Sequence, residues 1–243
     1  MCGRYTIIRH DQIVRVVFNI TVPANLRFVA RYNVAPTQLA PVITAESKEV
    51  QMFRWGLTPG WAKDEKTRFL LARAETLPEK PAFRQAFARR RCLVPADGFY
   101  EWRAHVGAKT KVPMYIRMRS REMFAFAGLW DTWRGPDGKD VSTFAIITTP
   151  PNELVSAIHD RMPAILPPEA YADWLDPHIT SAAALTRWLK PLASQVMEAH
   201  AVGPGVNRPA NEGSDLIAFV ESPAEAAPPA ASPRAGAQPT LFD

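Results

Sequence analysis

Between residues 1 and 221, short runs of β-branched and aromatic residues recur between Pro and Gly punctuation, at 41–44, 50–55, 98–103, 112–118, 123–130 and 143–149. Apolar runs of that length bounded by turn residues read as strands. Several alternate, as in Met114-Tyr115-Ile116-Arg117-Met118-Arg119, the period of a strand with one face buried. Helical spacing is rarer and shorter: 11–18 behind an Asp11 cap, 83–90, 152–158, 169–174 and 181–189. No internal repeat is visible. The pattern predicts an α+β fold: a β-rich single domain of barrel-like antiparallel sheets with peripheral helices. From Ser222 onward the periodicity stops, and five prolines and seven alanines follow before the final Leu241-Phe242. Such a segment buries too little apolar surface to offset the entropy of ordering it. The boundaries expected are a folded domain over 2–221 and a disordered tail over 222–243.

Composition narrows the function classes. Two cysteines in 243 residues cannot build a disulfide framework or a structural zinc site, so no metal and no cofactor is expected. No apolar run reaches the roughly 18 residues of a membrane span, and the first residues lack the apolar segment of a secretory signal. The expectation is a cytoplasmic monomer with no membrane partner. The 29 basic and 24 acidic residues are unevenly placed, with 12 against 7 over 1–83, 10 against 2 over 84–121 and 7 against 15 over 122–243. The basic central segment reads either as a solvated surface or as a face for a polyanion, and charge alone leaves both open.

Five features carry candidate chemistry. Cys2 follows the initiator Met1; removal of Met1 leaves an α-amine and a thiol on adjacent carbons. With an aldehyde, the amine forms a Schiff base and the thiol closes onto the imine carbon to give a thiazolidine. Glu101 lies between Tyr100 and Trp102. Strand alternation puts those two aromatics on one face and Glu101 on the other, where spacing alone makes it a solvated carboxylate. His159, beside Asp160 and Arg161, is either a structural histidine or a proton shuttle. Arg73 and Glu75 are spaced to share a strand face, as an ion pair or as a phosphate site. Trp61 sits on a turn, free to stack on an unpaired base or to cover the core edge. Cys92 reads as a buried strand residue.

Taken in order, Cys2-Gly3-Arg4-Tyr5, Arg-Tyr-Asn-Val-Ala-Pro-Thr at 31–37, Trp-Gly-Leu at 55–57, Pro-Gly-Trp at 59–61, Ala-Arg-Ala-Glu-Thr at 72–76, Gly-Phe-Tyr-Glu-Trp at 98–102 and His-Asp-Arg-Met-Pro at 159–163 resemble the SOS-response-associated peptidase family of abasic-site processing proteins. The likeness runs from Cys2 to about Ile217. It implies a sensor of abasic sites in single-stranded DNA, acting near the nucleoid, that forms a covalent thiazolidine cross-link and shields the lesion during replication-coupled repair. It also implies Schiff-base, lyase-type chemistry and peptidase-like removal of Met1. On this resemblance Cys2 is the nucleophile, Glu101 the acid/base for sugar ring opening and imine formation, and His159 a proton shuttle. Arg4, Arg73 and Arg161 correspond to phosphate-binding arginines, and Asn33, Pro36 and Trp61 to parts of the DNA-binding and base-wedging surface.

The chain departs from the family pattern at one position. Where the pattern has Asn-Ala-Arg-x-Glu-Thr, this sequence has Leu71 in place of Asn. Leucine offers no donor or acceptor to position the Cys2 amine and opened sugar, which implies slower cross-linking rather than none. In the tail, Gln238, Leu241 and Phe242 resemble the Gln-x-x-Leu-Phe peptide that docks on the bacterial sliding clamp. Two other readings fit parts of the sequence: a non-catalytic single-strand-binding module, and an N-terminal-Cys glutamine amidotransferase.

Overall fold

The computed structural model describes residues 3–8, 18–23, 29–47, 49–104 and 110–221. Met1, Cys2, the expected helix at 11–18 apart from Phe18, and the tail with Gln238, Leu241 and Phe242 lie outside the described residues. The strands among those described are β1 (Arg4–Ile7), β2 (Arg31–Val34), β3 (Leu39–Thr44), β4 (Gln51–Trp55), β5 (Leu71–Arg73), β6 (Arg91–Ala96), β7 (Gly98–Arg103), β8 (Val112–Met118), β9 (Phe124–Arg134), β10 (Asp140–Thr149), β11 (Met162–Pro163), β12 (Ile165–Leu166) and β13 (Met197–Ala201). The helices are short: α1 (Arg84–Arg89), α2 (Glu153–Ser156), α3 (Tyr171–Leu175) and α4 (Ala182–Thr186).

Five strands close a barrel in the order β10-β4-β3-β6-β9 and back to β10, which leaves no open edge within the ring. Most of its pairings are antiparallel, but β10 runs parallel to β4 and, beyond the end of β4, parallel to β5. Beyond the last paired residue of β9, β11 continues the other edge of β10, so Thr148 stands between Arg73 of β5 and Pro163 of β11. These extensions carry the barrel wall out to the candidate residues. Long strands with buried runs such as Phe124-Ala125-Phe126-Ala127 fit a wall that is covered on both sides.

A second, wholly antiparallel sheet has the order β13-β8-β7-β1-β2. Alternation sorts its side chains into two layers. Tyr5 and Phe99 face the barrel, where the Tyr5 ring meets Trp55 at 5.3 Å and Phe126 at 5.8 Å, and Phe99 meets Phe126 at 6.0 Å. On the opposite face Tyr100 and Tyr115 pack with Val202 and Val206 of the C-terminal segment. The sheet is therefore covered on both faces.

The helices pack around this body much as the sequence pattern predicts. Asn152 caps α2 by accepting from the Val155 N–H at 2.9 Å, and Ser181 caps α4. The basic segment 84–121 does not form one cationic face. Arg91 is buried and donates to the carbonyls of Phe87, Ala88, Trp174 and Asp176, tying the end of α1 to that of α3. Arg90 pairs with Asp131, and Arg117 and Arg121 both pair with Glu198. Among the described residues no helix is long and apolar enough to cross a membrane.

Candidate functional site

Glu101 is the first surprise of the site. It shares the barrel-facing side of β7 with Phe99 and is 0% exposed, so the solvated position expected from alternation is wrong. Alternation placed Glu101 opposite Tyr100 and Trp102 correctly, but both faces of β7 are covered. Removing a carboxylate from water penalises its charged form; burial pushes the Glu101 carboxyl up to about 7.

His159 faces it. The short helix α2 ends here, with the His159 N–H donating to the Val155 carbonyl at 2.8 Å. That last turn aims the imidazole at β7, and Nε2 stands 4.0 Å from a Glu101 carboxylate oxygen. On the other side of the ring, Nδ1 is approached by the Arg161 backbone N–H at 3.1 Å and by the Asp160 carboxylate at 2.8 Å. One nitrogen cannot answer both at once. Accepting from Arg161 leaves the ring proton on Nε2 toward Glu101, whereas donating to the exposed Asp160 leaves Nε2 as a base. Partial burial holds the His159 pKa below its ordinary value. Burial thus raises the proton affinity of the carboxyl and lowers that of the imidazole, bringing the two groups closer in proton affinity than they are in water.

Arg161 supplies the next layer. Its guanidinium forms a two-pronged pair with Glu75, at 2.5 and 2.9 Å, and also donates to the Thr148 carbonyl at 2.6 Å. Glu75 is held below the ordinary carboxylate range first by that hydrogen bond from Arg161. The expected shared strand face for Arg73 and Glu75 does not form. β5 ends at Arg73, and residues Ala74–Thr76 turn as a 3-10 helix that swings Glu75 toward Arg161. Arg73 stays exposed, opposite Thr148 across the β5–β10 pairing. Arg73, Thr148, Arg161 and Glu75 thus come from three chain regions to one edge of the barrel.

The remaining expected residues fall elsewhere. Arg4 lies on the other face of the second sheet, opposite Tyr100, and donates to the Val206 carbonyl at 2.6 Å and to Asn33 at 3.4 Å. Asn33 is fully buried and its amide donates to the carbonyls of Val206, Arg208 and Asn211. In this conformation its contribution is to hold the segment 206–211 and the Arg4 head. Pro36 sits half-buried in the β2–β3 turn, whose Thr37 takes a left-handed φ of 72° and donates its N–H to the Trp55 carbonyl. Trp61 projects from its turn with 60% of its surface exposed. Leu71 is half-buried on β5, on the same face as Arg73. The 86-residue separation of Glu75 from Arg161 explains why sequence spacing missed their pairing and the part of Thr148; no local signal marks it. Cys92 is buried and its thiol pKa is pushed up by burial.

Comparison with known proteins now bears on this arrangement. The family described as SOS response associated peptidase (SRAP) matches residues 1–209. This chain is a member of that family. Among SRAP relatives, it is 44% identical over 223 residues to the abasic site processing protein YoqW of Bacillus subtilis, covering 89% of this chain and 99% of that one. It is 30% identical to the abasic site processing protein HMCES of Rattus norvegicus, covering 79% of this chain and 65% of that one. A crystal structure of a Bacteroides thetaiotaomicron protein superposes with a TM-score of 0.81 at 31% identity, covering 90% of this chain and all of that one. The SRAP match spans every candidate position from Cys2 to Arg161 and stops before the tail peptide.

Proposed function

We propose that this chain processes abasic sites in single-stranded DNA by cross-linking to them covalently through Cys2. The observation that carries the reading is the wholly buried Glu101, which keeps a proton up to about pH 7 and faces His159 across 4.0 Å. Burial of a carboxyl inside a sheet sandwich is costly without a use for it. β1 pairs antiparallel with β7, with Arg4 opposite Tyr100, the residue before Glu101. The names of the relatives supply the substrate class.

The chemistry follows from those groups. An abasic sugar opens to an aldehyde at C1′. The Cys2 amine adds to that carbon, the resulting hydroxyl leaves as water on taking a proton from Glu101, and the nitrogen returns a proton to the Glu101 carboxylate, giving an imine. The Cys2 thiol then adds to the imine carbon and its proton passes to the nitrogen, closing the thiazolidine. His159, its proton affinity lowered by partial burial, moves protons during ring opening and reversal. Arg73 and Arg161 bind the phosphates on either side of the lesion, Arg4 and Pro36 belong to the surrounding DNA surface with Asn33 holding Arg4 from beneath, and Trp61 wedges between bases. The imine also opens a lyase route, and the same centre removes Met1. A denaturing gel of the Met-processed protein with a single strand carrying one abasic site tests this: a shifted band is expected, and its persistence in Cys2→Ala sinks the proposal.

The tail adds a second element. Gln238, Leu241 and Phe242 dock on the bacterial sliding clamp and raise the local concentration at replication sites. Pull-down with purified clamp is expected to lose capture in Leu241→Ala/Phe242→Ala; full capture by that variant removes the tail from the account.

A further inference from the structure

Beside β5 lies a hollow of about 280 Å³ that, apart from Arg73, the chemistry above does not use, lined by Phe69, Leu71, Arg73, Thr76, Lys80 and Pro81–Phe83. Its volume is at the low end of small-molecule pockets, roughly 300 to 1,000 Å³, which suits one planar ring system better than a whole nucleotide. Phe69 and Phe83 meet edge to face at 5.2 Å and 73°. Leu71, where the family pattern has Asn, makes that wall apolar. The rim is cationic. Arg73 and Lys80 are exposed, neither lies within salt-bridge distance of a carboxylate among the described residues, and no acidic side chain lines the hollow. Arg73 also ties the hollow to the site, because β5 sets it opposite Thr148, to which Arg161 donates. A second hollow, sharing Pro81, is lined by Trp61, Arg84 and Gln85.

An apolar slot with two exposed cations at its mouth complements a ligand that joins a flat ring to an anion. Building on the abasic-strand reading, we propose that this hollow receives the nucleobase next to the abasic site on one side, with Arg73 and Lys80 on the adjoining phosphates. The lesion would then be recognised by a seated neighbour as well as by the missing base. Stacking and apolar contact give the affinity and tolerate any base, since each has a π-face. Leu71 serves as a wall of this slot in a position where an amide would prefer water or a polar partner.

The test uses the full-length, Met-processed protein and three single strands with one abasic site: intact neighbours, or an inert base-less tetrahydrofuran spacer on the 5′ side or on the 3′ side. Initial cross-linking rates at sub-saturating protein are expected to fall about tenfold for one spacer position and under twofold for the other. In Thr76→Trp, which fills the slot from its partly exposed rim, and in Leu71→Asp, this one-sided penalty is expected to vanish. Two intact-fold controls are the circular dichroism spectrum and the thermal midpoint of Thr76→Trp, whose site lies at the surface. Equal rates on all three strands with normal cross-linking, or an unchanged penalty in a folded Thr76→Trp, would overturn the slot while leaving the cross-linking reading intact. Absence of any abasic-dependent cross-link in the wild type would overturn that reading and the slot with it.

Discussion

The barrel and the second sheet bury comparable aromatic side chains but treat polar groups differently. In the barrel wall Phe144 and Ile146 pack without exposure, and its buried polar residues include threonines whose hydroxyls bond nearby groups, as Thr143 donates to the carbonyls of Asp131 and Thr58. Between the barrel and the second sheet, a carboxyl with no exposure is accepted. A purely structural interior avoids such a group, because desolvating it works against folding. The barrel's own buried carboxylate, Asp131, is paired with Arg90 and accepts from the backbone N–H groups of Gly60 and Thr132, whereas Glu101 faces the His159 imidazole, and that difference in partners separates a carboxylate built for stability from one built for chemistry.

Three substitutions sharpen that contrast. The largest effect is expected in the barrel. Trp55→Ala removes a side chain that packs on Tyr5 and Phe144 and is expected to cost roughly 3–5 kcal/mol in chemical denaturation, with little dependence on pH.

Glu101→Gln is expected to do the opposite for stability and much more for chemistry. A folded-state value of about 7 against an ordinary 4.5 means that between those pH values the folded protein holds a proton the unfolded chain has released. Stability therefore falls as pH rises through that window. The variant escapes this, and is expected to gain roughly 3 kcal/mol over wild type at pH 8 and nothing at pH 4. Its cross-linking is expected to be about 100-fold slower and to lack the decline expected of the wild type above about pH 7. A wild-type rate insensitive to pH between 6 and 8 on account of Glu101, unchanged in the variant, contradicts the acid role.

Glu75→Ala gives the smallest effect. It frees Arg161 from its two-pronged partner and is expected to slow cross-linking about fivefold through lost orientation. Removing a negative charge should leave binding to an intact single strand no weaker, with a steeper salt dependence. Equal losses in both measurements would make Glu75 a general stabiliser instead.

Much of the scaffold was legible in the chain because it is local. The runs at 98–103 and 112–118 coincide with β7 and β8, and the capping residues Asn152 and Ser181 fall at the starts of α2 and α4. Other strands were lengthened by their partners: the run at 123–130 extends to Arg134, since β10 pairs with it along that length. The short strands β11, β12 and β5 carry almost no pattern of their own and exist because long neighbours offer them an edge. Arg91 shows the same limit. Its neighbours in sequence are basic and the segment reads as a surface, yet four carbonyls from two helix ends draw it inside.

The sequence by itself determined the family, the β-rich plan and the identities of the residues with chemistry to offer, because motif order, period and punctuation are properties of the chain. Only the tertiary structure decided what those residues can do. Alternation gives Glu101 a side of β7, but whether that side meets water depends on the barrel packed against it. Spacing offers Glu75 to Arg73, but a turn after three strand residues delivers it to Arg161, 86 positions away. Proton affinity and ion pairing are set by the surroundings in space, and those surroundings are assembled from segments that no local pattern connects.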